Sequence, residues 1–278
     1  MPAIVIGKAV RLTPLIRRLT APNPSVMTGP GTNTYLVGEK SVAVIDPGPA
    51  IQQHCDAIVA AISGSIKWIM VTHTHQDHSP AARLLQDITG APVLGMEVPD
   101  EPWQDNTCVP DRILTHNERV QGDEFTLSAI HTPGHASNHL CYLLEGEQML
   151  FSGDHIMNGA TPVIAPPGGH MGDYLKSLAL LQKMQIGSIA PGHGDVIETP
   201  QNAIQWIIDH RLERENKTRK ALHELGPATL DELLPVVYAD VDPRLHGIAK
   251  FSLHAHVIRL AELGEAHEEG EIWTRNTQ

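Results

Sequence analysis

Cysteine is scarce in this chain: Cys55, Cys108 and Cys141 are the three in 278 residues, odd in number and far apart. They suggest neither the disulfide framework of a small secreted domain nor a CxxC zinc knot. Aromatic residues are also few, at 4%, which leaves little material for stacking on nucleobases. No apolar run reaches the roughly 20 residues of a membrane-spanning helix, so no membrane partner is expected. Positive charge is short as well. Lys and Arg total 20 against 32 Asp and Glu, a formal net charge of −12. That balance disfavours nonspecific adhesion to nucleic acid or anionic membrane, though it leaves room for a local basic groove. Lys8, Arg11, Arg17 and Arg18 all precede the first acidic residue, Glu39. A short first strand with a polar connection accounts for them, with a mitochondrial transit segment as the alternative. Secretion is not expected, and the cytoplasm is the expected location.

Histidine, by contrast, is abundant at 17, and 41% of the chain is hydrophobic, enough for a sizeable core. The length allows one large domain, or a large domain with a small attachment. After the Pro/Gly-punctuated stretch 21–32, residues 35–37 and 42–45 read as strands around a turn at Gly38-Glu39-Lys40. Residues 51–62 have helical spacing, 66–72 suit a buried strand, and 80–90 read as a helix stopped by Gly90. Strand-like runs recur in 125–135 and 139–154, followed by a helix over 172–185 and a strand in 186–194. Strands with polar loops at their ends, interspersed with helices, predict a mixed α/β body with a buried sheet. Beyond Gly194 the character changes. Helices are expected at Ile204–His223 and Leu245–Leu263, a shorter one within 226–238, and a hairpin in 264–274. The expected organisation is a catalytic domain over 1–199 and a small, mainly helical domain over 200–278.

The stretch VTHTHQDHSP, residues 71–80, holds three histidines and an aspartate within six positions. His73 and His75 are two apart, so on extended backbone their side chains share a side. Asp77 and His78 follow at once and offer a second pair. Zinc takes neutral imidazole and carboxylate in four- or five-coordinate arrangements. A solvated polar loop would also explain this stretch alone. More distant segments favour the metal. HTPGHASNH carries His131, His135 and His139; LFSGDH places Asp154 after an apolar run; APGHGD does the same for His193. Loops at strand ends thus gather His and Asp beside Gly or Pro.

With these segments the chain resembles the metallo-β-lactamase-fold hydrolases, whose HxHxDH signature stands here as His73-Thr74-His75-Gln76-Asp77-His78. Asp46 in VIDPGP, His135 in HTPGH, Asp154 in FSGDH and His193 in PGHG match the family's later segments in order and spacing. The resemblance implies an αββα sandwich with two divalent metal ions at one edge. By the same resemblance His73, His75 and His135 hold the first ion and Asp77, His78 and His193 the second, with Asp154 bridging. Zinc leads on donor type, with iron or manganese as alternatives. Further stretches, GTNTYLVG, DYLKSL, HRLERE and 237–264, are similar to the lactamase-beta-2-like branch, which carries a C-terminal winged-helix-like domain. The branch's usual Gly-Gly after the signature is replaced here by Pro80-Ala81, which should stiffen the start of the helix.

The resemblance implies hydrolysis by a hydroxide held between the ions. Asp77 is expected both to bind a metal and to orient the water, and Asp46 to fix a ligand loop by hydrogen bonds. His139 has two readings, a group near a substrate oxygen or a surface or capping residue. His155 is expected to point away from the site. The expected substrate is a small acyl compound, an ester, thioester or lactone, in an apolar cleft that Met96, Val98, Trp103, Met157 and the 161–169 loop could line. Single-strand-selective RNA cleavage is the first alternative; its one cationic resource is the run Arg211, Arg214, Lys217, Arg219 and Lys220, for which a solvated helix face is the preferred explanation. A nucleic-acid-binding module with a vestigial metal site is the second. With all seven metal positions filled, that alternative is disfavoured. Trp206 is expected in core packing, His170, His254 and His256 in structural or solvent roles, and the C-terminal domain against the body or in a homodimer contact.

Overall fold

The structure is a computed structural model and describes residues 2–276. The chain divides into two compact units. One runs up to Thr132 and includes Asn138–Ala160 and Lys183–Ala203; the other comprises Pro133–Ser137, Thr161–Gln182 and the chain from Ile204 onward.

The first unit is built on two sheets. Seven strands form the larger in sequence order: β1 (Val10–Arg11), β2 (Ile16–Thr20), β3 (Asn33–Val37), β4 (Ser41–Ile45), β5 (Ser65–Met70), β6 (Val93–Gly95) and β7 (Arg112–Ile113). Pairing is antiparallel from β1 to β4 and parallel from β4 to β7. Each parallel step needs a crossover. Helix α1 (Gln52–Ala60) lies between β4 and β5, and α2 (Ala81–Thr89) between β5 and β6. The smaller sheet contains β8 (Arg119–Gln121), β9 (Thr126–His131), β10 (Leu140–Leu144), β11 (Met149–Gly153) and β12 (Ser188–Pro191), in spatial order β12-β11-β10-β9-β8.

Period-2 alternation sorts the larger sheet's side chains onto two faces. Tyr35, Val37, Ala43, Ile45 and Met70 share one core with Leu127, Ala129, Leu140, Tyr142 and Phe151 of the smaller sheet. Leu36, Val42, Val44 and Ile69 share another with Cys55 and Ile58 of α1 and Ala82 and Leu85 of α2. Burial on both faces is why SVAVI reads as an unbroken apolar run rather than an alternating one. The result is an α/β sandwich. Pro80, at φ −58°, precedes the first turn of α2, and Gly90, at φ +70°, ends it in the left-handed conformation.

The second unit holds α3 (Met171–Gln182), most of α4 (Pro200–Leu225), α5 (Leu230–Val237), α6 (His246–Glu262) and the hairpin β13 (Ala266–Glu269) with β14 (Ile272–Arg275). Leu222, Leu233, Val237, Leu253, Val257, Leu260 and Trp273 form its core. It is mainly helical, with a winged-helix-like hairpin at its end.

Two expectations need correction here. Trp206 is not core: it is 46% exposed, its ring against His210 at 5.7 Å. Nor is the basic run of α4 wholly a solvated face: Lys220 is exposed, but the rest is at least partly engaged. Arg211 and Arg214 are buried, because their guanidinium groups cap backbone carbonyls of Pro162 and Val237 and stack on Tyr174 and Tyr238. Lys217 pairs with Asp240 and Arg219 with Glu265.

Candidate metal centre

Strand ends supply the ligand-type residues. Strand β5 runs out at Met70, and the following turn carries His73, His75, Asp77 and His78; β11 ends at Gly153, just before Asp154; β12 ends at Pro191, two residues before His193. Among the described residues, two groups of His and carboxylate side chains bring one donor atom each within 4.8 Å of the others. They are His73, His75 and His135, and Asp77, His78, Asp154 and His193. All seven sequence-derived candidates fall into one group or the other.

Close approach depends on small residues. A Cβ on Gly192 would lie 2.7 Å from both Asp154 Oδ1 and His78 Cε1, and Gly153, at φ +46°, would place one 2.5 Å from Thr72 Oγ1. No larger side chain fits either position without displacing the site.

Four of the imidazoles are held through Nδ1. His78 Nδ1 meets Asp46 Oδ2 at 3.0 Å, His193 Nδ1 the carbonyl of Gly31 at 3.2 Å, and His135 Nδ1 the carbonyl of Val163 at 2.8 Å. His73 Nδ1 lies 3.0 Å from Thr72 Oγ1, whose own proton goes to Asp46 Oδ2 at 2.8 Å. Each partner accepts, so Nδ1 carries a proton, and in the neutral ring the Nε2 lone pair is left as the donor, the arrangement found behind metal-bound histidines. Asp46 is the pivot, since its Oδ1 also accepts the backbone N–H of Thr72 at 2.7 Å. One carboxylate thus orients a histidine of each group, as expected from the sequence.

In the second group the Nε2 of His78 faces Asp77 at 3.5 Å and Asp154 at 3.3 Å, while that of His193 lies 3.2 and 3.3 Å from the same carboxylates. Burial opposes charge on all four groups, but the pairing overrides it. His78 is held well above its ordinary value by Asp77, Asp154 and Asp46, and His193 is pushed up to about 9, chiefly by Asp154. The two carboxylates are correspondingly held below theirs by these histidines. Two anions this close need positive charge between them. Protons on His78 and His193 supply it in the ion-free chain, and a divalent cation with neutral imidazoles would do the same. The residues present therefore fit two metal ions.

His139 is fully buried, with Nδ1 2.9 Å from Thr132 Oγ1 and its ring 5.0 Å from that of His73. It packs behind His73 rather than lying at the surface. His155, also buried, is 5.6 Å from His139 by ring centroids and joins neither donor group. The sequence reading missed Thr72, whose hydroxyl links His73 to Asp46; its place just before the signature was the available signal. It also missed Gln104, Asp105 and Asn138, which bond around the His73–His78 turn.

Residues 27–193 match the family described as the metallo-beta-lactamase superfamily, and 229–273 match the beta-lactamase associated winged helix domain. The chain belongs to the metallo-beta-lactamase superfamily. Within it, this member lies close to the beta-lactamase-like protein 2 branch: it is 30% identical over 282 residues to a beta-lactamase-like protein 2 homolog of Drosophila melanogaster, covering 94% of this chain and 92% of that one. It is also 30% identical over 274 residues to an atrochrysone carboxyl ACP thioesterase of Aspergillus novofumigatus, covering 91% and 81%. Among solved structures, a beta-lactamase domain protein from Burkholderia ambifaria superposes with a TM-score of 0.81 at 19% identity, over 99% of this chain and 95% of that one. A metallo-beta-lactamase family protein from Thermus thermophilus gives 0.79 at 21%, over 96% and 100%. These two likenesses bear on the fold. The protein is an enzyme of the metallo-hydrolase superfamily, and its donor groups are compatible with a binuclear hydrolase of ester- or thioester-type substrates. No helix among the described residues is long and apolar enough to cross a membrane.

Proposed function

We propose that the protein is a two-metal hydrolase of thioesters or related carbonyl esters, lactones included. His73, His75 and His135 would hold the first ion and Asp77, His78 and His193 the second, with Asp154 the proposed shared carboxylate. The convergence of two donor groups through oriented imidazoles carries this reading. Bound there, divalent ions supply Lewis acidity toward a carbonyl oxygen and lower the pKa of water toward neutrality. Zinc suits neutral imidazole and carboxylate donors best.

Asp77 has the second task of orienting the attacking water. Its side chain is 29% exposed against 13% for Asp154, the more open of the two, and it is its Oδ2 that faces both His78 and His193. A carboxylate oxygen there accepts the water's hydrogen bond and can take its proton. The acyl class is supported by the thioesterase named among the relatives. Phosphodiester cleavage loses its main cationic resource, since the arginines of α4 are engaged inside the fold. The functional division proposed remains 1–199 for catalysis and 200–278 for the appended domain, supported by family matches that end at 193 and resume at 229.

Metal counting on protein purified without added metal, together with parallel thioester, lactone, β-lactam and RNA substrates, tests this reading. The expected result is about two divalent ions per chain and turnover of thioesters or lactones. Asp77→Ala should lower kcat on the order of 100-fold or more. RNA cleavage with no turnover of carbonyl substrates would overturn the substrate class. Undiminished activity of the variant would remove the role given to Asp77.

A further inference from the structure

Gln104 and Asp105 lie in a connection between β6 and β7, yet both are buried. Together they bind the ligand turn along most of its length. Gln104 pairs with His75 in an isolated β-bridge, and its carbonyl accepts from Gln76 Nε2 at 3.1 Å. The backbone N–H of Asp105 donates to the carbonyl of Thr74 at 2.6 Å, and Ser79 Oγ donates to Asp105 Oδ2 at 2.9 Å. Thr74, placed between His73 and His75, occupies the middle of this set. Its hydroxyl donates to Gln104 Oε1 at 2.5 Å and accepts from Asn138 Nδ2 at 2.8 Å. Asn138 is 3% exposed and stands three residues beyond His135.

We propose that Thr74, Gln104 and Asn138 form a positioning network that sets the spacing of the first ion's histidines. None of the three offers a metal-binding imidazole or carboxylate, so any effect on the ion must pass through His73, His75 and His135. The Thr74 hydroxyl is the one group shared by the other two, with its proton used on one side and a lone pair on the other. Removing it leaves the buried Gln104 Oε1 without its donor and Asn138 Nδ2 with only its longer bond to the Glu97 carbonyl at 3.3 Å, so the turn shifts if both are to be satisfied again. A ligand turn displaced by a fraction of an ångström no longer presents its lone pairs at the distances zinc requires.

The inference rests on the two-metal reading and is tested apart from turnover. Thr74→Val keeps shape and removes the hydroxyl; Thr74→Ser restores it. Full-length variants are compared by zinc competition against a chromophoric chelator, by the visible absorption of the cobalt(II)-loaded protein, and by melting of the metal-free form. Thr74→Val should weaken one of the two ions about 10–100-fold and alter the cobalt bands, with Thr74→Ser close to the parent in both. Unchanged affinity and cobalt bands in Thr74→Val, whatever its melting temperature, would overturn the proposal, as would a serine variant as impaired as valine. If Thr74→Val does not fold, Gln104→Met, which removes the hydroxyl's acceptor, is judged by the same two readouts. A parent protein that binds no divalent ion would refute the two-metal reading and this proposal with it.

Discussion

Asp46 shows how much one side chain can be asked to hold. It sits at φ +50°, a left-handed conformation that Asp and Asn tolerate better than most residues. From there it accepts from Thr72 twice and from His78 once. Asp46→Asn keeps shape and backbone preference but replaces one acceptor oxygen with an NH₂ group. That group must then face either the Thr72 N–H or the His78 Nδ1–H, donor against donor. His78 can relieve the conflict by moving its proton to Nε2, which removes its lone pair from the metal group. Metal affinity should fall about 10–100-fold with the fold retained, measured by chelator competition alongside circular dichroism. Undiminished affinity would mean that Asp46 only shapes the loop. The ligand-type residues and Asp46 were legible in the sequence because His and Asp stand out beside Gly and Pro at strand ends. Thr74, Gln104 and Asn138 were not, since neutral polar residues in loops look alike whether they face solvent or one another. His139 stayed ambiguous for the same reason: spacing does not tell a ring behind a ligand from one in front of it.

At the scale of elements, apolar runs made most of the sheet and helices readable, and apart from the exposed Trp206 the failures lie where charge is buried. Strand β2 has the sequence IRRLT, yet every residue of it is buried. Arg17 can be internal because its guanidinium donates to the carbonyls of Ala61 and Gly38, and Arg18 because it donates to Pro2 and Asp195. Helix α4 repeats the device with Arg211 and Arg214, which is why its basic run gave a false solvated face. A charged residue satisfied by distant carbonyls has no local signature. Helix α5 is the opposite case, with its start written into GPATLDEL. Thr229 Oγ1 accepts from the Glu232 N–H, and the Glu232 carboxylate accepts from the Thr229 N–H at 2.8 Å, a reciprocal capping box. Thr229→Ala should cost about 1 kcal/mol of local stability. Native-state hydrogen exchange across Leu230–Val237 would register it as faster opening of α5, with the strands of the first unit unaffected. No change in α5 exchange would show that packing of Leu233 and Val237 alone holds the helix.

The whole molecule is set between two opposing proton equilibria. His54 in the first unit and His256 in the second are buried neutral, and burial pushes each down to about 4. An unfolded histidine titrates near 6.5. Between those values the unfolded chain therefore binds more protons, so their contribution to stability is present above about 6.5 and lost as pH falls toward 4. His78 and His193 run the other way in the ion-free protein. Their raised values mean a contribution that is complete below about 6.5 and lost as pH rises, through about 9 for His193. Metal-free protein should accordingly melt highest near pH 6.5 and lower on both sides. Metal loading removes the alkaline arm and deepens the acid one. If the ions are held as proposed, His78 and His193 would be neutral and stay so, which would remove the alkaline loss, whereas acid still protonates His54 and His256 and would compete with the ions for their ligands. Melting curves from pH 4.5 to 9, with and without chelator, separate the two arms. A metal-free protein whose melting temperature climbed steadily from pH 6.5 to 9 would show that His78 and His193 do not carry the positive charge between Asp77 and Asp154. The cation that those carboxylates require would then have to be sought elsewhere in the chain.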